Sequence, residues 1–215
     1  MQPKIIHLIR HGQAEHNLHC DNYRFPDAIL TPTGRQQCLE LNEKTQDTIQ
    51  ESAELLVSSP LRRTLQTTLL GLPRLINRLG GPSSIAVVPQ LQENGPTPAD
   101  TGSSKEELEK IKEFRGIDFR GLVDGWNSKT GFWASDHQSL RIRAAWIRRW
   151  LCDRPETEIV IVSHGGALRY LIEDYNPHNA WGNTECRTYS FTLIVEDGRL
   201  VPTFKHLSTL PLNRK

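Results

Sequence analysis

Arg10, His11 and Gly12 stand directly after a run of branched apolar residues in "KIIHLIRHGQAEHN" (4–17), with Asn17 close behind. Three further runs end in the same way. Leu55–Ser58 leads into "SSPLRRTLQT", with Arg62 and Arg63. Ile85–Pro89 leads into "LQENG", with Glu93, and Ile159–Ser163 leads into "SHGG", with His164 and Gly165. In an α/β sheet, ligands gather beyond the carboxyl ends of the strands. Read that way, four strands deliver two histidines, two or three arginines and one carboxylate to one edge. These residue types suit a phosphoryl group. The planar fork of arginine matches phosphate oxygens, and helix N-termini add backbone N–H groups. A neutral imidazole can attack phosphorus and divide a slow hydrolysis into two steps. A carboxylic acid can protonate the departing oxygen. Uncatalysed phosphate monoester hydrolysis calls for accelerations of up to ~10²¹-fold, which demands preorganised positive charge.

The elements that must position these groups are legible as alternating strands and helices. The four β-branched runs read as buried strands, and "SFTLIVED" and "VPTFKHL" flank Gly198 as a strand pair. "TPTGRQQCLELNEKTQDTIQ" is a helix with Thr31 or Thr33 as N-cap. "PLRRTLQTTLLGLPRLINRLGG" starts at Pro60 and should break or kink at Pro73. "SKEELEKIKEF" opens on a capping-box pair, Ser104 and Glu107. "SLRIRAAWIRRWLCDRP" places Ile142, Ala145, Trp146 and Trp150 on one stripe, and "GGALRYLIEDY" follows the fourth strand. This alternation predicts an α/β sandwich with helices on both faces. Residues 93–135, with Pro96, Pro98 and weak periodicity, read as a lid-like insertion within a single domain spanning 1–215.

The 215 residues can bury a sizeable core. The 26 basic and 25 acidic residues nearly cancel, so composition offers no reason to expect nucleic-acid or membrane binding. Partners must therefore be argued from a local site. Cys20, Cys38, Cys152 and Cys186 form no CxxC pair, which favours reduced thiols in a cytoplasmic setting. No signal-peptide pattern follows Met1, no run is long enough to span a bilayer, and "PLNRK" carries no lipidation motif. Nothing in the chain announces an oligomeric state.

The ordered set "LIRHGQAEHN", "LTPTGRQQ", "VSSPLRRTLQT", "LQE" and "IVSHGGALR", within residues 5–169, resembles the histidine phosphatase superfamily in its phosphoglycerate mutase-like branch. The resemblance implies a three-layer αβα sandwich with a mostly parallel central sheet. It also implies a phosphatase, independent of metal and cofactor, that hydrolyses a phosphate ester of a small organic molecule through phosphohistidine. His11 would be the nucleophile. Arg10, Arg63 and His164 would form the phosphate pocket, with help from Asn17 and the Gly165 amide, and the family's spacing selects Arg63 over Arg62. Glu93 would be the general acid, with Asp100 as its rival. The stretch "ENGPTPADTGSSKEEL" departs from the mutases, which follow their acid with a tyrosine- or glycine-rich segment ending in a lysine. That departure favours a phosphatase over the alternatives, a mutase-type phosphotransferase or a non-catalytic binding member.

Blander readings stand beside these. Arg62 is expected to be a solvated helix residue and His7 a satisfied core histidine. Arginines 141, 143, 148 and 149 read as a solvated face, and Trp146 and Trp150 as core. Trp126, Phe132 and Trp133 either line a leaving-group pocket or anchor the insertion, the latter being slightly favoured. His11, His16, His19, Cys20 and Asp21 cluster in sequence, but their spacing matches no zinc motif. A serine hydrolase is set aside because no G-x-S-x-G elbow occurs.

Overall fold

Period-two alternation in the strands divides the apolar residues between two faces of one sheet. Ile6, Leu8, Leu55, Val57, Ile159 and Ile161 point to one side, and Ile9, Leu56, Val160 and Val162 to the other. Both faces therefore need cover, and helices supply it. The computed structural model describes residues 2–210. Met1 and the tail "PLNRK", read above for a leader and for lipidation, lie outside those residues.

In chain order the elements are β1 (Lys4–Arg10), α1 (Pro32–Thr45), α2 (Ile49–Ser52), β2 (Leu55–Ser58), α3 (Arg62–Gly71), α4 (Pro73–Arg78) and β3 (Ala86–Val87). There follow α5 (Lys105–Lys110), α6 (His137–Asp153), β4 (Glu158–Ser163), α7 (Gly165–Ile172), β5 (Cys186–Glu196) and β6 (Arg199–Thr209). The sheet order is β3-β2-β4-β1-β5-β6. The first four strands run parallel, with Leu8 opposite Ile161 and Leu56 opposite Val160. β5 and β6 add an antiparallel edge. Leu41, Leu61, Leu65, Leu75 and Ile76 of the α1–α4 region cover one face. Ile147 and Leu151 of α6 and Leu168 and Leu171 of α7 cover the other. This is the expected αβα sandwich with a mostly parallel sheet.

Local chemistry explains where the elements start and stop. The Thr31 side chain accepts from the Gly34 amide, and Pro32 opens α1. A Cβ on Gly34 would lie 1.9 Å from the Gln13 carbonyl oxygen, so only glycine lets α1 rest on the chain leaving β1. Pro73 ends α3 and starts α4, as its missing N–H requires. Asp197 and Gly198 join β5 to β6.

Three expectations need correction. The third strand is only Ala86–Val87, because Pro89 starts a 3₁₀ turn. Helix α6 buries Leu140, Ala144, Ile147 and Leu151, so its inward stripe is out of phase with the one drawn through the tryptophans. Trp146 is exposed and stacks on Trp150, and Ile142 is exposed as well. The same rotation turns Arg143 inward, where it is 3% exposed, instead of leaving it on a solvated face. The 93–135 segment is anchored to the body of the fold. Phe114, Ile117, Phe119, Leu122 and Trp126 pack into the core beside Leu75 and Ile85. Trp126 is thus an anchor, Trp133 packs partly against the same cluster, and Phe132 is exposed.

Candidate active site

The carboxyl ends of β1, β2 and β4 and the turn after β3 open on one edge of the sheet. His11, one residue past β1, is almost completely buried, with its amide bonded to the Ser163 carbonyl. Its Nδ1 lies 2.7 Å from the Gly12 carbonyl oxygen, which can only accept, so Nδ1 carries the proton. Nε2 is thereby left unprotonated, and its lone pair accepts from the Arg63 Nε–H at 3.2 Å. Burial, then Arg63 and Arg10, hold the His11 pKa well below the usual histidine value, so the ring stays neutral.

Arg63, in the first turn of α3, is fully buried and spoken for on every nitrogen. Nε meets His11, Nη1 donates to the Ala99 carbonyl at 2.6 Å, and Nη2 pairs with Asp100 Oδ1 at 3.0 Å. Asp100 also accepts from the Thr97 hydroxyl. The rival acid is thus engaged in fixing Arg63. Asp27 ties the same region together, accepting from the Arg62 amide and from the Ser103 amide and hydroxyl. Arg62 itself is half-buried, its Nε without a partner, so it is less solvated than expected.

His164 caps β4 and precedes α7. Its Nε2 lies 2.9 Å from the Ser59 hydroxyl, while its buried Nδ1 has no partner. Burial, followed by Arg63, lowers its pKa well below the ordinary value. The His11 and His164 rings meet edge-on, 5.2 Å between centroids. Arg10 donates through Nη1 to the Trp181 carbonyl at 2.6 Å and keeps a buried, unpartnered Nε. A Cβ at Gly165 would touch the Arg10 side chain at 3.6 Å, which puts the start of α7 beside that guanidinium.

Glu93 lies across the same helix start. Its carboxylate accepts from the Asn94, Gly166 and Ala167 amides at 2.8, 3.4 and 3.2 Å. A Cβ at Gly166 would come within 2.4 Å of Glu93 Oε1, so a side chain there would displace the carboxylate. Asn17 turns its amide oxygen to the Ala14 N–H and its nitrogen to His16 Nε2. The structure therefore brings together His11, Arg10, Arg63, His164, Gly165 and Glu93, with Asn17 acting one step back through His16. His7, as expected, is a buried histidine satisfied by Thr188 and Glu158.

Sequence reasoning missed several participants. His16, weighed only as a metal ligand, lies buried 5.6 Å from the His11 ring, its pKa pushed down to about 3 by burial and the two arginines. It is not part of the exposed group of ligand atoms formed by His19, Cys20 and Asp21. Ser59 was visible only as part of "VSSP". Thr67, which accepts from the Gly12 amide, was visible only as the end of "VSSPLRRTLQT", and Asn183, which donates to the His11 carbonyl, left no signal. Two more cations, Lys129 and Arg143, stand near Glu93. Lys129 donates to the Glu93 carbonyl oxygen at 2.9 Å, and both feel the Glu93 charge.

A buried histidine unprotonated at Nε2 thus stands with two arginines and a second histidine at the strand ends of an αβα sandwich. The chain belongs to the histidine phosphatase superfamily (branch 1), whose profile matches residues 6–204. It is 28% identical over 180 residues to a Schizosaccharomyces pombe protein named "Probable phosphatase", covering 82% of this chain and 81% of that one. It is 30% identical over 204 residues to the Arabidopsis thaliana "Phosphoglycerate mutase-like protein 1", covering 79% and 71% of the two chains. Among solved structures, a mycobacterial glucosyl-3-phosphoglycerate phosphatase complexed with VO3 shares the fold with a TM-score of 0.55. Its identity is 22%, over 94% of this chain and 98% of that one. Among the described residues no helix is long and apolar enough to cross a membrane.

Proposed function

We propose that this protein is a cytoplasmic phosphatase that hydrolyses phosphate monoesters of small organic molecules through a phosphohistidine at His11. The observation that carries this reading is the fixed tautomer of His11, with Nδ1–H bound to the Gly12 carbonyl and the unprotonated Nε2 turned toward the Arg63 guanidinium. Arg10 Nε and His164 Nδ1 are buried donors with no protein partner, and phosphoryl oxygens would satisfy both. Ser59 donating to His164 Nε2 would leave the proton on Nδ1, where the phosphoryl group needs it.

In the first step His11 Nε2 attacks phosphorus, the bond from phosphorus to the ester oxygen breaks, and Glu93 delivers its proton to that oxygen. In the second, water attacks the phosphohistidine and gives a proton to the Glu93 carboxylate. The P–N bond then breaks, restoring neutral His11 and releasing phosphate. Arg63 and Arg10 neutralise charge on the equatorial oxygens throughout, held in place before the substrate arrives. The 93–135 segment, which supplies Asp100 and Lys129, forms the wall on the leaving-group side.

Phosphate release from phenyl phosphate by the purified protein and by His11→Ala tests the proposal. Release by the parent and loss in the variant is the expected result. Equal rates would overturn the nucleophile. Transfer to an acceptor with no phosphate released to water would point instead to a phosphotransferase.

A further inference from the structure

Arg10 Nε, His164 Nδ1 and His16 Nδ1 are buried nitrogens without a hydrogen-bond partner, and all three residues flank His11. Phosphoryl oxygens satisfy the first two in the mechanism above, which leaves the third unused. His16 belongs to the 3₁₀ turn Glu15–Asn17 and is 5% exposed, its ring centroid 5.6 Å from that of His11. The backbone decides which of its nitrogens carries the proton. The Ala14 N–H, which can only donate, bonds to the Asn17 amide oxygen at 3.0 Å. That fixes the orientation of the Asn17 amide, so its nitrogen faces His16 Nε2 at 3.0 Å and must donate there. His16 Nε2 is therefore a lone pair, and Nδ1 bears the hydrogen. Buried donors ordinarily have an acceptor, and an unmet one costs stability. Tyr23 packs edge-on against the His16 ring, 5.3 Å between centroids, but an aromatic face is at most a weak acceptor.

We infer that His16 Nδ1–H is a further ligand of the phosphoryl group that passes through His11, and that Asn17 is the positioning residue that fixes its tautomer. The inference rests on the phosphatase reading above, which brings an oxyanion to His11. It also gives Asn17 a different task from the direct phosphate contact expected of it, since its amide is committed to Ala14 and His16. Burial, followed by Arg63 and Arg10, pushes the His16 pKa down to about 3, so the ring donates as a neutral imidazole. A neutral donor suits this place. It adds a hydrogen bond to the oxyanion without setting a third positive charge beside the two arginines, and a hydrogen bond to a charged acceptor is among the strong ones.

The test uses vanadate, an oxyanion that mimics phosphate, on the full chain. In protein labelled with ¹⁵N-histidine, the His16 signals are assigned by their absence in His16→Gln. At pH 7 Nδ1 should be protonated and Nε2 not, and the Nδ1 proton should move downfield when vanadate binds, as a donor gaining an acceptor does. Asn17→Leu, which no longer holds Nε2 as an acceptor, should show protonation of Nε2, a change that lost packing alone would not produce. His16→Phe keeps a ring but no donor, and the vanadate inhibition constant for phenyl phosphate release should rise by about tenfold to a hundredfold, the value of one hydrogen bond to a charged group. The spectra of the parent carry the test if His16→Phe does not fold. A His16 protonated on Nε2, an Nδ1 proton unmoved by saturating vanadate, or an inhibition constant unchanged in folded His16→Phe would overturn the ligand role and leave the phosphatase reading intact. A tautomer unchanged in Asn17→Leu would overturn the role of Asn17. Equal phosphate release by the parent and His11→Ala would instead overturn the phosphatase reading.

Discussion

Arg63 and Arg143 are both buried arginines within reach of the same carboxylate edge, yet they live in opposite circumstances. Arg63 has a partner for each nitrogen: His11, the Ala99 carbonyl and Asp100. Arg143 has two nitrogens with none. A fully paired cation is held rigid before any ligand arrives, which suits a group that must stabilise a transition state. Arg143 has only the more distant charge of Glu93 to hold it. The phosphoryl chemistry would then belong to the paired region on the strand ends.

The sharpest way to break this division is at its two carboxylates. Glu93→Gln is expected to lower kcat by about 10²–10⁴-fold for an alkyl phosphate, whose leaving oxygen needs a proton. The loss should be much smaller for 4-nitrophenyl phosphate, whose phenolate leaves unaided. Asp100→Asn should instead lower both rates by a similar factor, since Asp100 holds Arg63 and does not face the leaving group. It should also cost about 3–5 kcal/mol in urea unfolding, because it strands a buried guanidinium. If Asp100→Asn showed the leaving-group dependence and Glu93→Gln did not, the acid would be Asp100.

Acid stability sharpens the same contrast. His11, His16 and His164 all have folded pKa values below the unfolded value, His16 at about 3 and the other two well depressed. Below pH ~6.5 the unfolded chain takes up protons that the folded site refuses. Stability is therefore expected to fall as pH drops from 7 to 5, by up to about 1.4 kcal/mol per pH unit for each histidine. Urea unfolding in phosphate-free buffers measures this slope, and His16→Gln should make it shallower. An unchanged slope would mean that His16 is not held neutral.

The smallest effects lie on the unpaired side. Arg143→Met removes a buried cation and strands no partner, so its unfolding free energy should match or exceed that of the parent. A loss as large as that of Asp100→Asn would erase the distinction between the two arginines. Trp146→Gln, on the outer face of α6, should change stability by no more than about 0.5 kcal/mol, readable as a near-constant Tm.

Most of the paired region was legible in the sequence, and most of the unpaired region was not. Arg10, His11, Arg63, Glu93 and His164 each follow an apolar strand, and the sheet topology alone brings strand ends together. The pairing of Asp100 with Arg63 and the place of His16 beside His11 were not legible, because hydrogen-bond partners across the fold leave no local spacing. The failure at Arg143 has a specific cause. The large tryptophans drew the inward stripe of α6 through residues 142, 146 and 150, whereas the aliphatic set Leu140, Ala144, Ile147 and Leu151 faces the core. That error of phase hid a buried arginine among solvated ones. Lys129 lies in a segment with no periodicity, where only the folded chain shows what it reaches.

The most direct measurement is to trap the covalent intermediate. The protein is mixed with phenyl phosphate, quenched in denaturing base, which preserves phosphohistidine, and mapped by peptide mass spectrometry. Phosphorylation confined to His11, absent in His11→Ala and accumulating in a variant of Glu93 slowed in hydrolysis, is the expected result. Phosphate release undiminished in His11→Ala, or an adduct on another residue, would contradict the assignment of His11 as nucleophile.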